Sequence, residues 1–297
     1  MMAHRASQIL VFATFLLLLI GGTVNPTGSS LACPEPTLVC NGQLFPELTG
    51  GVLYEHGHRL AAMLVGFLQI GLTVLLWRKG KILRRLGIVA LVMVCVQGGL
   101  GAVTVGLKLP WMVSTAHLLL AMSYLALLFY IAARTAPIAY AKYEKSPKPW
   151  LVVAGIAVLS QIALGGLVRH HEAALASIQL PLHNGTLWPS GAPLALQLHM
   201  AHRIWGVVVA LVILVCSHFL YRAGKFDLGL RRRALALPAV VCAQVTLGVS
   251  VILSYRDVSV AVLHFGGAAL LWSIVVNSYF HVSRRQKAFA ESGEVAE

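Results

Sequence analysis

The sequence predicts an all-α membrane protein whose eight transmembrane helices form two tandem four-helix bundles. Three observations carry that expectation: few charges, eight apolar segments of spanning length, and markers that repeat at nearly constant offset. Of the 297 residues, 58% are hydrophobic and 11% charged, against roughly 25% charged in soluble domains. The apolar surface is therefore expected to face lipid. No zinc ribbon, phosphate-binding glycine loop or G-x-S-x-G elbow is present to suggest a soluble enzyme.

Segments of roughly 17–25 apolar residues read as membrane spans. The first is Ser7–Val24, preceded by Arg5. A signal-peptide reading matches poorly there: in Ser30-Leu31-Ala32-Cys33 the small residue and Leu are in the wrong order for a lipoprotein site, and too far from the apolar run. Tyr54–Trp77 follows and opens with Glu55-His56-Gly57-His58-Arg59. Leu83–Val105, Val113–Arg134 and Trp150–Val168 come next. Leu198–Leu220 opens with His199-Met200-Ala201-His202-Arg203; Leu235–Leu253 and Ser259–His281 complete the set. Lengths this close to the membrane thickness, with Gly and Pro at the junctions, favour helices. The alternating ten-residue segments of a barrel are absent.

Lys and Arg set the orientation. One side of the connections holds 18 of the 23 basic residues, among them Arg78 to Arg85, Lys142 to Lys148, Arg231 to Arg233 and Arg284 to Lys287. The other side has only Arg59, Lys108, Arg169, Arg203 and Arg256. The positive-inside rule then puts both termini in the cytoplasm. The net charge of +13 is thus a topology signal, and nucleic acid is not an expected partner.

The halves repeat. Gly21-Gly22 and His58 return as Gly165-Gly166 and His202 at an offset of 144, and Gln97 and His117 return as Gln244 and His264 at 147. Two four-span units in the same orientation follow, residues 1–140 and 141–297, as in parallel repeats. Two outer connections are long enough to be functional. One, Asn25 to Leu53, carries Cys33 and Cys40; the other, Arg169 to Gln197, carries His170, His171, Glu172 and His183.

The histidines carry the chemistry. Titratable groups at membrane depth are costly and usually functional. Each half offers one imidazole on its second helix (His58, His202) and one on its fourth (His117, His264), all in the outer half of the membrane. Facing imidazoles across a bundle are what a heme iron needs for two axial bonds. The plainer alternative, histidines hydrogen-bonding helices together, suits a single residue better than a repeated set of four. A structural zinc site would want four close ligands, and here the pairs belong to separate bundles.

Glu55 shares a helical face with His58, and His199 takes its place in the second half. A carboxylate in only one half can accept or relay protons, or simply favour a helix N-terminus. Arg59 and Arg203 can pair with heme propionates or snorkel to headgroups. Gln97 and Gln244 suit hydrogen bonding between helices. Cys33 and Cys40 lie on the oxidising side, where a disulfide is permitted, as a staple or as an exposed redox pair. Cys95, Cys216 and Cys242 read as small apolar fillers.

With Glu55-x-x-His58-Arg59, Thr115-Ala116-His117-Leu118, His199-Met200-Ala201-His202-Arg203, Val262-Leu263-His264-Phe265 and the Cys33–Cys40 pair, the chain resembles the heme A synthase family from Ser7 to His281. The resemblance implies a multi-pass oxidase of the bacterial plasma membrane. It would convert the C8 methyl of heme O to the formyl group of heme A, for terminal oxidases. It further implies a resident heme B between His202 and His264, and a substrate site at His58 and His117 with Glu55 beside it. Heme O synthase, the assembling terminal oxidase and a second copy of the chain are the expected protein partners, within the lipid bilayer. Some members carry a second cysteine pair in the later outer loop; Arg169 to Gln197 has none. The main alternative is a two-heme membrane cytochrome passing electrons from quinol without modifying heme. A transporter on parallel repeats would require broken helices, which the spans do not suggest.

Overall fold

A computed structural model describes residues 1–137, 143 and 145–293. The expected boundary after residue 140, and Lys142 of the basic set, lie outside the described residues. Among those described, eight helices are long and apolar enough to cross a membrane. They are α1 (Met2–Val24), α2 (Gly50–Trp77), α3 (Lys81–Gly106), α4 (Trp111–Thr135), α5 (Lys148–His170), α6 (Leu194–Ala223), α7 (Leu228–Leu253) and α8 (Val258–Gly293). Every expected span lies inside one of them. Most helices run a few residues beyond the apolar stretch. Lipid thickness sets the length of the apolar run, whereas main-chain hydrogen bonding continues into the polar zone.

In each half the four helices close a ring, α1–α2–α3–α4 and α5–α6–α7–α8, each packed on its two neighbours. Across the diagonals, α2 does not pack closely on α4, nor α6 on α8. The histidine-bearing helices are those diagonal pairs. The rings join through α1, α4, α5 and α8, with α4 against α8 at the centre and α1·α8 balanced by α4·α5. That exchange of partners is an approximate two-fold relation between the halves.

Buried Met122, Leu125, Val275 and Trp272 fill the join. The Trp272 indole donates to the Met122 carbonyl at 3.0 Å. The Gly-Gly pairs act here too. A methyl on Gly22 would lie 2.8 Å from Phe265, and one on Gly166 would lie 3.0 Å from Leu118. Small residues let apolar helices approach in this way. Outside, Phe12, Phe67, Val74, Ile156, Val207 and Leu211 are exposed, as a lipid-facing surface requires.

Inside α7, Pro238 cannot donate to the carbonyl of Ala234. The Ser217 hydroxyl of α6 donates to that carbonyl at 2.7 Å. The helix therefore continues unbroken, as the sequence led us to expect. At the equivalent place in the first half, Thr73 donates to Gly87 O at 3.0 Å and joins a buried network with Gln69 and Tyr124. Asp227 caps α7 through the Leu230 N–H and accepts from His281, Arg285 and Tyr143.

Candidate heme and outer-loop sites

His202 and His264 come together across the second ring, with ring centroids 6.4 Å apart and planes at 79°. Two metal–nitrogen bonds of about 2 Å, plus about 1 Å from each nitrogen to its ring centre, span a similar distance. The pair therefore fits a single ion held between two imidazoles. His58 and His117 hold the corresponding places in the first ring, on the diagonal helices α2 and α4. In all four histidines Nδ1 is buried without a hydrogen-bond partner. Unpartnered imidazoles are costly as mere helix glue, and their donor chemistry suits heme iron.

Glutamines on the neighbouring helices hold the main chain at two of these positions. Gln97 Nε2 donates to His117 O and Gln161 Nε2 to His202 O, each at 3.0 Å. Gln161 Nε2 also lies 3.4 Å from His202 Nε2. Gln244 makes no such bond; its Nε2 is buried and unpartnered. Gln161 was not singled out in the sequence, although it stands four residues before Gly165, as Gln97 stands before Gly101.

Above the first pair, the long loop folds onto the mouth of α2. Cys33 and Cys40 form a disulfide. Glu55, 4% exposed, uses both oxygens: Oε2 accepts the Cys33 N–H at 2.8 Å and Oε1 accepts Arg59 at 2.5 Å. Arg59 also donates to the carbonyls of Cys33, Glu35, Thr37 and Val39. Its guanidinium is thus engaged with the loop. His56, buried against the disulfide, has no partner on either ring nitrogen. Beyond the membrane, Glu35 accepts the N–H groups of Asn41 and Gly42 at 2.9 Å. Main-chain donors, with Arg59 behind them, hold its carboxyl below the usual range.

The second loop repeats this plan with different chemistry. Arg203 donates to the carbonyls of Ser177 and Gln179, 144 residues after Cys33 and Glu35. His199 Nδ1 accepts the Ser177 N–H at 3.3 Å, where Glu55 accepts from Cys33. Where the first loop has its disulfide, His183 Nδ1 and Ser177 Oγ lie 3.0 Å apart in a hydrogen bond. Each loop ends in a tight hairpin, Asn41-Gly42 and Asn184-Gly185, with positive φ at both residues. Asn-Gly is the preferred pair for that turn. The two dipeptides were the signal that could have revealed the match. Of the other loop histidines, His171 packs on Trp111 with centroids 5.2 Å apart.

A family model described as cytochrome oxidase assembly protein matches residues 49–276. Curated relatives named heme A synthase are similar along most of the chain. The one from Shewanella oneidensis is 28% identical and the alignment covers 92% of this chain and 94% of the relative. That from Shouchella clausii is 26% identical, over 95% and 97%. The protein from Methylobacterium sp. (strain 4-46) is 33% identical, over 75% of this chain and 68% of its own.

Proposed function

The chain belongs to the COX15-CtaA family of cytochrome oxidase assembly proteins, and from that premise we propose that it is a heme A synthase, an oxidoreductase converting heme O to heme A. The reaction turns the C8 methyl of heme O into a formyl group. Written with water as the oxygen, four electrons and four protons leave the carbon centre. The site must therefore bind the porphyrin, carry electrons away and take up protons.

The histidine spacing is the observation that supports this reading most directly. His202 and His264, 6.4 Å apart, are the residues that would hold a resident heme B, which supplies one-electron transfer when bound. His58 and His117 bind the heme O substrate in the first ring. Glu55 stands one turn before His58. Arg59 and the Cys33 N–H fix its orientation, while its remaining lone pairs stay open to a proton or a water. Glu55 accepts or relays the protons released at the methyl. His199, in the equivalent place, accepts the Ser177 N–H of its loop. Arg59 and Arg203 seal the outer loops over the two rings and order the propionate side of each site.

The protein is multi-pass, and the charge bias puts both termini on the cytoplasmic side of a bacterial plasma membrane. Heme O synthase and the terminal oxidase under assembly are the partners this activity requires; a homo-oligomer is compatible with the exposed apolar surface. The test is co-expression with a heme O source, purification and analysis of the extracted heme. Formylated heme is expected, lost in His58→Ala and His117→Ala. Heme B alone would assign the chain to quinol-linked electron transfer.

A further inference from the structure

Each of the four imidazoles rests its Cε1 edge on a glycine of the preceding helix. A methyl on Gly21 would lie 2.8 Å from Cε1 of His58, and one on Gly165 3.0 Å from Cε1 of His202. On Gly248 it would lie 3.2 Å from Cε1 of His264, and on Gly101 3.3 Å from Cε1 of His117. The four glycines obey the same offsets as the histidines, 144 for Gly21 and Gly165, 147 for Gly101 and Gly248. Other glycines of the first ring, Gly66 and Gly71 of α2 and Gly98 and Gly99 of α3, have nothing near the place a methyl would take.

A histidine bound to metal through one nitrogen normally donates its other N–H to a carbonyl or carboxylate, which fixes the ring plane. His58 and His202 have no such acceptor at Nδ1. Beside His117 and His264, by contrast, the main-chain carbonyls of Gln97 and Gln244 stand as acceptors for the ring. A ring without that tether can be held only by what it packs against. Glycine is the one residue that brings helix backbone up to the ring edge.

We infer that Gly21, Gly101, Gly165 and Gly248 are positioning residues, which set the orientation of the four imidazoles by contact, alone at His58 and His202 and together with a main-chain acceptor at His117 and His264. The inference rests on the heme reading above and deepens it. One difference between the sites follows. Three of the glycines come four residues after a glutamine (Gln97, Gln161, Gln244), but Gly21 comes four after Leu17. His58 therefore has no glutamine beside its seat and depends most on the glycine, whose seat is also the tightest of the four. The Gly-Gly pairs add a link between halves: Gly21 seats His58 while Gly22 touches Phe265, the residue after His264.

The test replaces each seat by alanine in the full-length protein purified with its heme. Heme content and the low-spin ferric signal in electron paramagnetic resonance are read for each variant. Gly165→Ala and Gly248→Ala are expected to shift or abolish the signal of the second-ring heme alone. Gly21→Ala and Gly101→Ala should do so in the first ring, after loading with heme O. The losses should rank by clearance, Gly21 first and Gly101 last. Gly71→Ala and Gly99→Ala, with open space around them, should keep heme content within about twofold, as surface changes away from special features do.

Where a seat variant fails to accumulate, the double variant removes the ring with the clash. Gly165→Ala/His202→Gly should recover folded yield if the methyl strikes the imidazole, and should not if it strikes anything else. Unchanged signals in Gly165→Ala and Gly248→Ala, or equal losses in the Gly71→Ala control, overturn the inference. A wild-type protein that holds no heme at all would instead overturn the functional reading beneath it.

Discussion

The Glu55 carboxylate accepts the main-chain N–H of Cys33 at 2.8 Å, tying the mouth of α2 to the disulfide-bearing loop. In the second half His199 accepts from Ser177 in the same way. Holding the loop therefore requires an acceptor at this position, and it does not require an acid. The negative charge is what the first half has in addition.

That separation can be measured. Glu55→Gln keeps an amide oxygen for the Cys33 N–H but cannot accept protons as the carboxylate does. It should fold, bind heme and make heme A at least tenfold more slowly, a loss typical of a missing acid–base group. Glu55→Ala removes the acceptor as well and leaves Arg59 without its ion pair, costing about 2 kcal/mol or more. Normal heme A output from Glu55→Gln removes Glu55 from the chemistry.

The disulfide should behave as a brace. Its partner loop holds the same Asn-Gly hairpin with a Ser177–His183 hydrogen bond, so the fold of the loop does not demand a covalent link. Opening a closed loop this short costs about 2–3 kcal/mol in the chain-entropy account. The double variant Cys33→Ser/Cys40→Ser should lose that much stability and keep its turnover when assayed at a temperature where it is folded. Loss of heme A formation under those conditions would make the pair redox-active.

At the opposite end of the molecule, Asp227 gathers His281, Arg285 and Tyr143. Burial alone would raise its pKa, but the hydrogen bond from His281 and the Leu230 N–H, helped by the charge of Arg285, hold it below its ordinary 3.8. A lowered native pKa means the contribution is complete above the unfolded value and is lost as pH falls through the native one. Thermal stability in detergent should therefore drop below about pH 4, and Asp227→Asn should flatten that part of the profile. An unchanged acid limb in Asp227→Asn would exclude this cluster as its source.

Gln161 should matter to one heme and not the other. Removing its bond to the His202 carbonyl costs about 1 kcal/mol and frees the turn carrying the ligand. Gln161→Leu, which copies the Leu17 found in α1, should weaken heme retention in the second ring severalfold and leave the first ring unaffected. Titrating hemin against both apoproteins would show it, and equal affinities would count against a role for the amide.

Much of this molecule can be read along the chain. Eight spans, their tandem repeat and the four histidines follow from apolar length and residue spacing, because a helix must satisfy its own main chain in lipid wherever it packs. Repeat offsets even pair Gly21 with Gly165 before any contact is known. Side-chain partners are another matter. Arg59 and Arg203 stand next to the histidines in sequence, yet their guanidiniums go to loop carbonyls, since the loops fold back over the helix mouths and present unpaired oxygens there. Glu55 meets Cys33, and Gly101 meets His117, only once the rings close. Spacing along the chain determined which residues share a helix face; the closing of each ring, by bringing neighbouring helices to within a glycine's width, decided what each face touches.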